Sequence, residues 1–178
     1  AGLERCDSLE ALLAREDVDA IMNITPHYAH AETTLAAVRS GKPVICEKPP
    51  ACSREECAAM VAASRNSAQP VLIHFQHILR PGARWLGYLL RSGQLGRIQR
   101  VKCLSLWWRS PEYFRRADWV GKKYFDGKPT FDGAMANQTV HFINQMLNLA
   151  DRTSEASVAG IRDLRSVLYR FNDPTLLE

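Results

Sequence analysis

Lys48 stands directly after the apolar run Val44-Ile45-Cys46 and Glu47, and directly before Pro49-Pro50. In an open α/β sheet, ligands collect outside the carboxyl ends of the strands, so a charged residue just past such a run is placed to meet one. Pro49 fixes its own φ and disfavours helical geometry at the residue before it, which aims the Lys48 side chain reproducibly. An ammonium held there can hydrogen-bond a reacting oxygen and favour the negative charge that develops on it. The same residues also read as an ordinary surface turn at a strand end. A second set lies downstream, where Asn137, His141 and Asn144 are spaced by four and three and share one helix face. An unperturbed imidazole titrates close to working pH, so His141 is a candidate acid/base, although a histidine satisfied at a helix packing surface gives the same pattern.

The elements that must position these residues follow from caps and periodicity. Asp7 with Glu10 forms a capping box for a short helix through Ala14, and the first strand is expected from Val18. From Tyr28 to Arg39, Ala29, Leu35, Ala36 and Val38 fit an amphipathic helix closed by Gly41 in the left-handed conformation. Ser53 with Glu56 makes a second capping box, for a helix to about Ser67, and Val71 to Phe75 reads as a short buried strand. The alternation β-α-β-α-β argues for a parallel sheet with right-handed crossovers. A further helix runs from Pro81 to Gly93, and Ile98 to Trp108 reads as a long strand with apolar residues on both faces. Strand-like segments also fall at Ala156–Gly160 and Val167–Tyr169.

Composition narrows the classes. The chain has 178 residues, 46% of them hydrophobic, with a net charge of +4. That is room for one domain or parts of two, and scattered Lys and Arg do not make a nucleic-acid stripe. Five cysteines without paired zinc spacings read as reduced thiols, implying a cytoplasmic setting. No apolar run approaches the about 18 residues that suggest a membrane span, and no leader pattern opens the chain. His27, His30, His74 and His77 lack a convincing carboxylate or cysteine partner, so no metal is expected. No Gly-x-Gly-x-x-Gly turn occurs, although such a turn normally opens a dinucleotide-binding domain. The chain is therefore expected to be an internal fragment.

The order Val18-Asp19-Ala20-Ile21-Met22-Asn23-Ile24-Thr25-Pro26, then His27 and His30, a helix to Gly41, and a strand into Glu47-Lys48-Pro49 resembles the second half of the nucleotide-binding domain in the glucose-fructose oxidoreductase and inositol dehydrogenase family (Gfo/Idh/MocA). Leu90-Arg91-Ser92-Gly93-Gln94-Leu95-Gly96-Arg97-Ile98 is similar to that family's link into its second domain, and Gly133, Asn137 and His141 to its catalytic helix.

The resemblance implies an incomplete Rossmann-type parallel sheet over residues 1–96, followed over 97–178 by the start of an α+β substrate and oligomerisation domain. It implies NAD or NADP as cofactor and a polyol or sugar-like substrate, with hydride transfer from a secondary alcohol. His141 would be the acid/base, Lys48 would favour the alkoxide, and Asn137 would occupy a position where the family commonly has aspartate, leaving the carboxylate missing. Thr25, Pro26, His30, Glu47, Lys48 and Pro49 would face the cofactor, with Glu47 bracing the turn or a ribose. Trp107, Trp108, Tyr113, Phe114 and Trp119, with Arg109, Arg115 and Arg116, suit either a sugar pocket or an oligomer surface. A homo-oligomer is expected from the family. The competing expectation is a catalytically inactive, truncated member acting only as a structural or oligomeric protein.

Overall fold

The computed structural model describes residues 4–151 together with 163 and 165. Three parallel strands, β1 (Ile21–Asn23), β2 (Val44–Cys46) and β3 (Val71–Ile73), form a sheet in the order β1-β2-β3. Ile21 pairs with Val44, and Val44 with Val71. The connections are α2 (His30–Arg39), entered through a 3-10 turn at His27–Ala29, and α3 (Arg54–Asn66). The two helices pack against each other, and the core lies between them and one sheet face. Ile21, Ala31, Ala37, Val44, Cys46 and Met60 are buried there, with Leu12, Leu13, Leu35, Val38 and Ile73 against them. Truncating Met60 to alanine forfeits about 2–5 kcal/mol, a large share of the roughly 5–15 kcal/mol that holds a domain together.

Local chemistry explains the boundaries. Ser53 accepts from Glu56 N while Glu56 accepts from Ser53 N, so the expected capping box on α3 forms. Gly41 adopts φ +77° after α2, as a left-handed cap requires. The first helix, α1 (Leu9–Leu13), is capped by Ser8 rather than Asp7: the Ser8 hydroxyl accepts from Ala11 N. The third helical position is thus Ala11, which cannot complete a box, and Glu10 falls one place early.

The buried face of α2 also differs from the apolar pattern. His30 and Thr34 are buried beside Ala31 and Ala37, because Asn23 at the end of β1 donates to His30 O and Thr34 Oγ1. Asn23 Oδ1 accepts from Thr25 Oγ1 and Thr25 N, so this buried amide ties the strand end to the loop and helix that follow. The strand β3 is not buried. Leu72 is 56% exposed, since among the described residues no element covers the second sheet face, where Met22 and Ile45 also lie open.

Beyond β3, a 3-10 turn (Gln76–Leu79) leads into α4 (Pro81–Arg91), which Gly93 follows at φ +74°. The strand expected over 98–108 does not form: these residues carry no ladder, because no described strand lies beside them. Next come α5 (Pro111–Arg115) and a hairpin of β4 (Tyr124–Phe125) and β5 (Lys128–Pro129). Asp126-Gly127 supplies its turn, both at positive φ, the pattern favoured by two-residue hairpin loops. A π-helical turn, Met135–Thr139, opens into α6 (Val140–Asp151), which packs on the Gln76–Leu79 turn and on α4. The segments Ala156–Gly160 and Val167–Tyr169 lie outside the described residues.

Candidate functional site

The carboxyl ends of β1 and β2 open into a cavity of about 370 Å³, in the lower part of the about 300–1,000 Å³ range of small-molecule sites. From the first strand end come Ile24, Thr25, Pro26, His27 and His30, and from the second Glu47 and Lys48. Tyr113, Arg116, Trp119, Asn137 and Gln138 close the other side. One imidazole joins the two strand-end loops: His30 Nδ1 lies 2.6 Å from Pro49 O, and Nε2 lies 2.7 Å from Thr25 O. The Lys48–Pro49 peptide is cis.

Lys48 is fixed from across the cavity. Its Nζ donates to Asn137 O at 2.5 Å and to Asn137 Oδ1 at 3.2 Å. Asn137 Nδ2 in turn donates to Asp132 Oδ1 at 2.6 Å and to Tyr113 OH at 2.8 Å. Both amide hydrogens are used, so Asn137 orients Lys48 rather than offering a free donor to a substrate. Asp132 is 4% exposed and accepts from Gly121 N through its other oxygen. Asp132 therefore brings a carboxylate into the Lys48 network through Asn137. Burial lowers the Lys48 pKa, opposed by the charges of Glu47 and Asp132 and assisted by those of Arg116 and Arg109.

Glu47 Oε1 lies 2.6 Å from His74 Nδ1, and Oε2 accepts from Lys48 N. Burial works against its charge, but the His74 and Lys48 contacts more than offset this and hold the carboxyl below its ordinary value. Glu47 thus ties its own turn to His74 at the end of β3.

His141 does not line the cavity. It lies on α6, 3% exposed, stacked on His77 with ring centroids 4.3 Å apart and edge-on to Phe75. Its Nδ1 is buried without a hydrogen-bond partner, as is Asn144 Oδ1 on the same helix. Burial, then the charges of His77 and Lys48, lower the His141 pKa to about 4, so the ring is neutral at neutral pH. His27 is likewise held at about 4, first by burial, with Asp132 opposing and His30 and Lys48 assisting.

The aromatic segment is only partly gathered. Arg109 and Arg116 lie over the Tyr113 ring at 4.5 and 4.2 Å, and Trp119 packs on His27 at 5.1 Å. Trp108 is exposed, and Arg115 pairs with Glu112 at the surface. Sequence reasoning singled out Lys48, Asn137, Thr25, Pro26, His30 and Glu47, which this cavity brings together, with Pro49 one bond away through His30. It missed Asp132, Asn23 and the His77 stack. Each is defined by a contact across the fold, and only the adjacency of Asp132 to Gly133 ahead of the helix was a visible signal.

Thr25, Glu47 and Lys48 put polar groups on this cavity and Pro26 an apolar wall, a lining and a volume that fit one end of a nicotinamide dinucleotide rather than the whole molecule.

Residues 1–75 match the model of an oxidoreductase family described by its NAD-binding Rossmann fold, GFO_IDH_MocA. An inositol 2-dehydrogenase from Pseudomonas syringae pv. syringae is 32% identical over 94% of this chain and 46% of its own length. A 1,5-anhydro-D-fructose reductase from Ensifer adhaerens is 40% identical over 51% of this chain and 27% of its own. Among solved structures, the WlbA dehydrogenase from Bordetella pertussis, in complex with NADH and UDP-GlcNAcA, aligns with a TM-score of 0.70 at 29% identity. That alignment covers 80% of this chain and 42% of the other. The chain thus spans less than half the length of these curated relatives.

Proposed function

This chain belongs to the Gfo/Idh/MocA oxidoreductase family, and we propose that it carries the nicotinamide end and the catalytic lysine of an NAD(P)-dependent dehydrogenase acting on a secondary alcohol of a sugar, inositol or related polyol. The observation that carries this reading is Lys48, held by Asn137 at the mouth of the cavity beyond the strand ends. An ammonium makes three hydrogen bonds; Asn137 takes two, and the third is left for the substrate oxygen. Its charge then favours the alkoxide that forms on that oxygen. For the hydroxyl proton the family resemblance offers His141, neutral and with an unpartnered Nδ1, which stacks on His77 outside the cavity. Thr25, Pro26 and Glu47 hold the cofactor, with His30 and Pro49 behind them fixing the loops. The nicotinamide supplies the hydride acceptor when bound. Tyr113, Arg116 and Trp119 present faces and donors suited to a hydroxylated ring.

In this reading, residues 97–178 open a substrate domain that assembles the protein as a homo-oligomer. The test is turnover of NAD+ or NADP+ against a panel of inositols, anhydrosugars and sugar acids. Wild type is expected to turn over at least one of them, with Lys48→Ala and His141→Gln each much slower. A folded protein inactive on the whole panel, or variants equal to wild type, overturns the reading.

A further inference from the structure

We infer that Asp132 is a positioning residue that acts on Lys48 through Asn137, fixing the direction and the charge of the lysine without touching a ligand itself. Primary amides can be turned over at little steric cost, so an Asn137 free to rotate would present either its oxygen or its NH2 to Lys48. Asp132 removes that choice. A carboxylate only accepts, so the group 2.6 Å from it must be the amide nitrogen, and the oxygen is turned to Lys48 Nζ. Tyr113 OH accepts the second amide hydrogen, and Gly121 N holds the far oxygen of Asp132, so the chain Gly121–Asp132–Asn137–Lys48 leaves no member free to turn.

The negative charge has a second effect. Lys48 loses hydration in the cavity and faces Arg109 from the 97–110 segment and Arg116 beyond α5, both of which disfavour its protonated form. Glu47, in its own turn, and Asp132, from the loop after β5, are the two carboxylates that oppose them. The histidines that feel Lys48, namely His27, His77 and His141, all have pKa values below the ordinary imidazole value and add no charge at neutral pH. Glu47 is engaged by His74, which leaves Asp132 as the partner reaching Lys48 through a hydrogen-bonded amide.

The consequence for turnover rests on the dehydrogenase reading, but the titration of Lys48 does not, so the two fail separately. The pKa of Lys48 is read in the full chain without cofactor, from competitive acetylation as a function of pH with mass-spectrometric detection of the Lys48 peptide. In Asp132→Asn, the expected result is a lower Lys48 pKa and, where turnover is measurable, a basic limb of the kcat/KM profile moved to lower pH. Adding Asn137→Asp to that variant returns a carboxylate beside Nζ and is expected to raise the Lys48 pKa again. A folded Asp132→Asn protein with an unchanged Lys48 pKa overturns the inference. Should Asp132→Asn fail to fold, the wild-type protein decides through its Asn137 side-chain amide signals. Slow exchange and a shift that follows the Lys48 titration are expected, and free-amide exchange without such a shift overturns the inference.

Discussion

With two of its three ammonium hydrogens bonded to oxygens of one asparagine, Lys48 has a single direction left for a ligand. That constraint makes its removal costly for chemistry. Lys48→Ala is expected to lower kcat by about 10²–10³-fold, the scale of losing one preorganised donor to a developing oxyanion. Lys48→Arg should not rescue it, because the longer, planar guanidinium cannot place its charge and a third donor where the compact ammonium does. Steady-state kinetics on a substrate found by the panel checks both. At the same scale, His27 and His141 fold with pKa values of about 4 instead of 6.5. Above 6.5 both rings are neutral in both states and contribute no pH dependence; below it the unfolded chain takes up protons that the folded chain refuses, so their contribution to stability falls as pH drops from 6.5 towards 4. Urea midpoints across that window are expected to decline steadily, and a flat profile would contradict the assigned burial of these rings. Lys48, Asn137 and Thr25 were legible because each stands in a short motif beside a strand or helix end. Asp132 and the His77 stack were not, because a hydrogen bond or ring contact made across the fold leaves no periodic trace.

Among the elements, those marked by their own caps were readable in advance. Ser53 and Glu56 satisfy each other's backbone donors at the start of α3, and Ser53→Ala is expected to cost about 0.5–2 kcal/mol in urea unfolding. Gly121 is a stricter case. It sits at φ +73°, and a Cβ there would lie 2.9 Å from Phe114 Cδ1. Gly121→Ala is therefore expected to destabilise by about 1–3 kcal/mol, measured the same way, and to loosen Asp132, which its amide holds. The π-turn at Met135–Thr139 was invisible to a count that assumes 3.6 residues per turn, yet it carries Asn137, in keeping with the frequency of such turns at functional sites. The strand expected over 98–108 shows the opposite failure. Its apolar residues are real, but a strand is a property of two neighbours, and periodicity reports only one.

At the scale of the molecule, the parallel sheet and its helices were legible from alternation, whereas the exposure of its second face was not. Met22, Ile45 and Leu72 lie open on that face, and Leu104, Leu106 and Trp108 lie open on the irregular segment. Exposed apolar surface of this kind favours association. Sedimentation is expected to show self-association that weakens when Leu104, Leu106 and Trp108 are replaced by serine. The central claim is that the cavity beside Lys48 receives the nicotinamide end of a dinucleotide. Trp119 lines that cavity, so its emission reports occupancy during titration with NADH and NADPH. Saturable quenching by at least one of them, markedly weakened in Lys48→Ala, is the predicted result. A folded chain that shows no saturable quenching, or binds equally well without Lys48, would contradict it.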